Sequence, residues 1–149
     1  MADSMTASEL EEQPKPEQEE QLRKQFLMQR FNKNLQANEV ATMHYLGIPY
    51  VVLQRHPCLS LMVPLSTRDF ALPGAEESAM ALQVRFNCSA NYPLQLPSVE
   101  LTGMRNVSSR LELRMREEIA LTLAEHFGLH MIVAVVTRLQ MLLNKKERP

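Results

Sequence analysis

Tryptophan is absent from this chain, and tyrosine and phenylalanine bring aromatics to only 5% of its 149 residues. A core with so few aromatic rings must be filled mainly by Leu, Val and the ten Met. Glycine is scarce too, and four scattered glycines cannot build a loop that cradles phosphate. Cys58 and Cys88 are too few and too far apart for a disulfide scaffold or a cysteine-based zinc site. There is no basic excess. A formal net charge of -1 gives no reason to expect nucleic acid as the partner. No charged start leads into an apolar run of the secretory kind. The longest strongly apolar stretch, Leu129 to Val136, is far too short to span a bilayer. The expectation is a reduced cytoplasmic setting, with the nucleus open to it, and no membrane partner.

Hydrophobic residues make up 45% of the chain, enough for the core of one domain of ordinary size. Residues 1–17 are rich in Glu, Gln, Pro and Ser, a composition expected to form a disordered acidic tail ahead of a domain spanning 18–147. A helical pattern follows from Glu19 to Leu46, with Leu22, Phe26, Met28 or Phe31, Leu35, Val40 and Met43 expected on one face. The stretch Asn32 to Asn38 lacks strong helix formers and invites a break. Gly47 and Pro49 end the helix.

Strands are expected at Tyr50–Gln54 and Cys58–Pro64, joined across Arg55-His56-Pro57. Arg68 to Ser78, with Pro73-Gly74, is expected as a loop. Met80, Leu82, Val84 and Phe86 alternate with polar or small neighbours, the clearest half-buried strand in the chain. Ser98–Thr102 continues it, and Gly103–Val107 is expected to turn. Ser109 with Glu112 fits a capping box opening a helix to Phe127, with Leu111, Met115, Ile119, Leu123 and Phe127 on its inner face. Gly128 would end that helix. A last helix, His130 to about Lys145, is apolar on most sides and should lie deep. The sum is an α+β fold: a four-stranded antiparallel sheet packed against helices in the order α-β-β-β-β-α-α.

Between the third and fourth strands stands Tyr92-Pro93-Leu94-Gln95-Leu96-Pro97. Neither proline can donate to a sheet ladder, so the chain must leave the sheet here and return. The tyrosine at its head can pack inward while its hydroxyl finds a polar partner. Tyr92, Pro93 and Pro97 are therefore expected to be structural rather than a ligand site.

Candidate chemistry is thin. His126 and His130 are spaced like a zinc-binding helical pair, but Gly128 lies between them and no acidic residue fills the motif's general-base position, so no metal is expected. His56 beside Pro57 is a turn residue. Cys88 shares a strand face with Leu82, Val84 and Phe86, which favours an inert, buried thiol over a nucleophile. No G-x-S-x-G motif or paired-carboxylate arrangement appears, and no catalytic residue or cofactor is expected.

From Met80 to Leu143 the chain resembles the second half of an RWD domain. The run V-R-F-N-C-S-A-N-Y-P-L-Q-L-P-S-V-E-L carries that family's Y-P-x-x-x-P and the strand after it. Within the family, the likeness is greatest to the amino-terminal RWD domain of the amino-acid-starvation kinase that phosphorylates initiation factor 2. Glu39 to Tyr45 stands where the family places its acidic amino-terminal helix motif. The resemblance implies a non-catalytic relative of the ubiquitin-conjugating fold. That fold's reactive cysteine follows the proline crossing, in a stretch opened by H-P-N, and no cysteine here follows Cys88. What is implied is a protein-binding adaptor, one candidate partner being a ribosome-associated co-activator of the starvation kinase. The alternative is an accessory factor in ubiquitin or ubiquitin-like conjugation. Glu117, Glu118 and Glu125, on the outer side of the Ser109–Phe127 helix, are the candidate partner-binding residues, as carboxylates that can steer a basic surface.

Overall fold

The computed structural model describes residues 15–67 and 79–147. The chain divides into two compact units, residues 1–31 and 32–149. The described residues of the first form the amino-terminal part of helix α1 (Pro16–Tyr45). The second unit holds the rest of α1, strands β1 (Val51–Gln54), β2 (Ser60–Ser66), β3 (Ala81–Asn87) and β4 (Ser98–Arg105), and helices α2 (Ser109–Glu125) and α3 (Met131–Glu147). This is the expected order. The loop expected at Arg68–Ser78 lies outside the described residues.

Helix α1 opens on Pro16, at the first helical position, where a missing N–H costs nothing. Two residues assigned to the tail, Pro16 and Glu17, are thus helical. No break interrupts Asn32–Asn38. The polar residues there face inward instead: Asn32, Gln36 and Glu39 are buried beside Val40 and Met43. The apolar face read from the periodicity is not the buried one, since Leu22, Phe26, Met28 and Phe31 are all about half or more exposed. Periodicity tells which residues share a face, not which face is covered.

The four strands pair in sequence order, all antiparallel. Register sets Leu61 opposite Phe86 and Phe86 opposite Val99, and sets Val63 opposite Val84 and Val84 opposite Leu101. With Leu65 and Leu82 these form the inner face of the sheet. The opposite face carries Met62, Arg85 and Glu100 in one cross-strand row. β4 runs beyond the expected Thr102 into the expected turn, ending at Arg105. Gly103 sits within it at φ +58, where the register against β3 slips between Ala81 and Gln83. A residue without Cβ takes that left-handed conformation without strain, so the glycine makes a bulge rather than an end.

Helix α2 is capped by Ser108, one residue earlier than expected, its Oγ accepting from Leu111 N at 3.1 Å. Glu112 is not a capping-box partner but pairs with Arg116 at 2.9 Å. The helix ends at Glu125 with His126 as its cap, leaving Phe127 half exposed rather than in the core. α3 packs against β2 and against α2, burying Met131, Ile132, Val135, Val136, Leu139, Leu142 and Leu143. Its Gln140 donates to Ser66 O at 2.9 Å.

Candidate functional site

The crossing from β3 to β4 is built as successive turns. Tyr92 N donates to Ser89 O at 3.2 Å and Leu94 N to Asn91 O at 2.7 Å, while Ser89 Oγ donates to Gln95 Oε1. The Tyr92–Pro93 peptide is cis, as is His56–Pro57. Tyr92, Pro93 and Pro97 are all buried, whereas Leu94 and Leu96 between them are exposed. From α1, Gln36 Nε2 donates to two carbonyls of this segment, Ser89 O at 3.2 Å and Tyr92 O at 3.0 Å. Gln36, in the stretch expected to weaken α1, therefore fastens the proline crossing.

The Tyr92 ring is 1% exposed. Its hydroxyl donates to Glu39 Oε1 in a short hydrogen bond and accepts from Met131 N at 3.1 Å and Ile132 N at 3.2 Å. Glu39 Oε2 accepts from Val133 N at 2.9 Å. Three of the unpaired N–H groups at the start of α3 are thereby satisfied by a tyrosine and a carboxylate from elsewhere in the chain. A negative charge at that end also suits the helix dipole. Each Glu39 oxygen receives one hydrogen, the pattern of an ionised carboxylate. Burial nevertheless raises the Glu39 pKa, opposed by the bonds from Tyr92 and Val133 and by nearby His130. Burial and then the Glu39 charge hold the Tyr92 phenol far above its ordinary range.

Beside this node lies a cleft of about 400 Å³, lined mainly by Leu35, Tyr92, Pro93, Leu129, His126 and His130. Gly128, at φ +85, lets the α2–α3 turn close on it, its N–H donating to Pro93 O at 3.1 Å. The two histidines thus line one cleft without sharing a helix. His126 Nδ1 lies 3.1 Å from Thr122 O. Among the described residues, no group of three or more His, Cys, Asp or Glu is placed to hold a metal ion. Among them, too, no helix is long and apolar enough to cross a membrane.

Cys88 is buried, its backbone N–H bonded to Leu59 O, and burial with the Glu39 charge pushes its thiol up to about 12. So high a pKa leaves almost no thiolate at neutral pH, and the thiolate is the nucleophile. The double change Cys58→Ser, Cys88→Ser is expected to lower the melting temperature, because a hydroxyl is costlier to bury than a thiol, and to leave partner binding intact. A charging assay should trap no thioester on Cys88. A trapped ubiquitin would overturn this assignment.

The three candidate carboxylates separate in the structure. Glu118 and Glu125 each take one nitrogen of Arg138 on α3, both at 3.0 Å. Glu117 is exposed on the outer side of α2. Sequence reasoning missed Glu39 and Gln36 as the fasteners of the crossing. The available signal was a carboxylate on the helix face that also carries Val40 and Met43, since a buried Glu must have partners.

Comparison with known proteins agrees with this architecture. The RWD domain family model matches residues 8–143. Among solved structures, the RWD domain of mouse GCN2, determined in solution, superposes with a TM-score of 0.64 at 16% identity, covering 78% of this chain and 88% of that one. At that identity the likeness concerns the fold alone. No curated protein matches the sequence significantly.

Proposed function

The chain belongs to the RWD family, and we propose that it acts in the cytoplasm as a non-catalytic adaptor. Its partner in this reading is a ribosome-associated co-activator of the amino-acid-starvation kinase, so that it modulates translational control by occupying a docking site. RWD domains are in general non-catalytic relatives of the ubiquitin-conjugating fold. One observation carries the reading. The polar groups best placed for chemistry are spent on the fold: the Tyr92 hydroxyl and Glu39 on the start of α3, and the Cys88 thiol in the core. What faces outward is a helix surface with exposed carboxylate, the kind of group that steers association rather than reaction.

Affinity capture with the intact chain tests this. Recovery of the co-activator supports the adaptor role, and recovery of conjugation machinery in its place moves the chain to the alternative, an accessory of ubiquitin-like conjugation. Docking is assigned to the outer side of α2, where Glu117, Glu118 and Glu125 face a basic partner surface. Because Glu118 and Glu125 already pair with Arg138, Glu117 carries the sharpest test. Glu117→Lys is expected to weaken co-activator binding severalfold at low salt, less at high salt, with little change in melting temperature. Affinity unchanged at low salt would remove the carboxylate from the interface.

A further inference from the structure

Helices α2 and α3 are joined by the short turn at 126–130 and pack on each other, which brings the first half of α2 beside the last turns of α3. An open groove of about 690 Å³ runs between them there. Met141, 61% exposed, and the buried Leu142 give it an apolar surface. Arg114, Asn144 and Lys145 line it as well, with Glu118 and Arg138 on the side nearer the turn.

The polar groups of this groove are unequally used. Arg138 gives one nitrogen to Glu118 and another to Glu125, so the one carboxylate in the lining already has its cation. Among the described residues, Arg114 and Lys145 have neither a hydrogen bond nor an ion pair. Asn144 is oriented by its neighbour. Ser66 O can only accept, so Gln140 turns its amide nitrogen toward it, and that nitrogen also donates to Asn144 Oδ1 at 3.0 Å. The Asn144 oxygen is thus spent and its Nδ2, a donor, is left over. A guanidinium, an ammonium and an amide therefore offer hydrogens along one groove. Carboxylates answer such a set best, because charge-assisted hydrogen bonds are the strong ones.

We propose that this groove binds an acidic segment of a partner protein, one in which an apolar residue lies beside two or more carboxylates. The carboxylates take hydrogens from Arg114, Asn144 Nδ2 and Lys145, and the apolar side chain covers Met141 and Leu142. Charge sets the sign of the occupant, since the lining holds three cations and one carboxylate. A bare polyanion such as nucleic acid fits less well: its phosphates would meet the Glu118 charge and leave Met141 uncovered. Glu117 is not among the lining residues, so the groove is distinct from the surface assigned above to a basic partner. The chain then presents two docking surfaces of opposite sign, as joining two proteins requires.

The test is an amide-shift titration of the isotopically labelled full-length chain with a synthetic peptide, Glu-Glu-Leu-Glu-Glu-Met, to about 1 mM. Shifts are expected at Arg114 and across Met141–Lys145, smaller at high salt. Arg114→Glu with Lys145→Glu should weaken binding by about tenfold or more, and Met141→Ser severalfold. All three side chains are exposed, so the melting temperature should hold. Glu117→Lys should leave the peptide's affinity unchanged, and a peptide with Lys for each Glu should not bind. An absence of shifts in the groove overturns the proposal, as does binding that the groove substitutions leave unmoved. Equal affinity for a single-stranded oligonucleotide would make the groove a polyanion site and overturn it too. Co-activator capture and its Glu117→Lys variant read the other surface, so failure of the groove and failure of the adaptor reading are distinguishable.

Discussion

Tyr92→Ala is expected to remove most of the stability of the domain. Deleting a fully buried aromatic side chain typically costs about 3–5 kcal/mol through lost transfer energy and the cavity left behind. Here the loss extends beyond the ring. The change also strips the hydrogen that Tyr92 gives Glu39 and the acceptor it offers Met131 N and Ile132 N, so a buried carboxylate loses one of its two donors while two helix N–H groups lose their partner. Against a total of about 5–15 kcal/mol for a typical domain, the variant should melt more than about 10 °C lower or fail to accumulate. Thermal unfolding followed by circular dichroism measures it. A melting temperature within a few degrees of wild type, with partner binding abolished, would make the motif a binding site instead of a structural one.

The second large effect separates hydroxyl from ring. Tyr92→Phe should cost about 2–3 kcal/mol, because it leaves Glu39 buried with one donor fewer. Adding Glu39→Leu should recover part of that loss, since replacing both partners by apolar groups is far milder than orphaning one. The double-mutant cycle is expected to show coupling of about 1–3 kcal/mol, and strictly additive costs would argue against the pair. The same carboxylate has a signature in pH. Burial raises its folded-state pKa above the ordinary 4.5, so the folded protein binds that proton more tightly than the unfolded chain does. The associated stability is fully present below pH 4.5 and is lost as pH rises through the folded pKa. The unfolding free energy of wild type relative to Glu39→Gln should therefore fall with rising pH across that window and then level. A rising difference would mean that the bonds from Tyr92 and Val133 outweigh burial.

Local pattern determined much of this protein. Alternation at Leu82, Val84 and Phe86 specified a strand and its inner face, because side chains on a pleated ribbon change sides at every residue. The two prolines required an excursion from the sheet, since neither can donate to the ladder. The period of Leu111, Met115, Ile119 and Leu123 placed the covered side of α2. Those are rules of near neighbours, and a linear sequence displays them. What α1 would bury was decided elsewhere. Leu22, Phe26 and Phe31 read as part of one apolar face and are exposed, whereas Gln36, in the stretch read as weak, and Glu39, for which no partner was foreseen, are buried. The cost of burying an amide or a carboxylate is met only by groups distant in sequence: the carbonyls of Ser89 and Tyr92, the Tyr92 hydroxyl and the open N–H groups of α3. Arg138 likewise stands thirteen and twenty residues from the two carboxylates it holds, a pairing made by the packing of α3 on α2. Secondary structure follows from neighbours along the chain, but the worth of a polar side chain depends on what the fold brings to meet it.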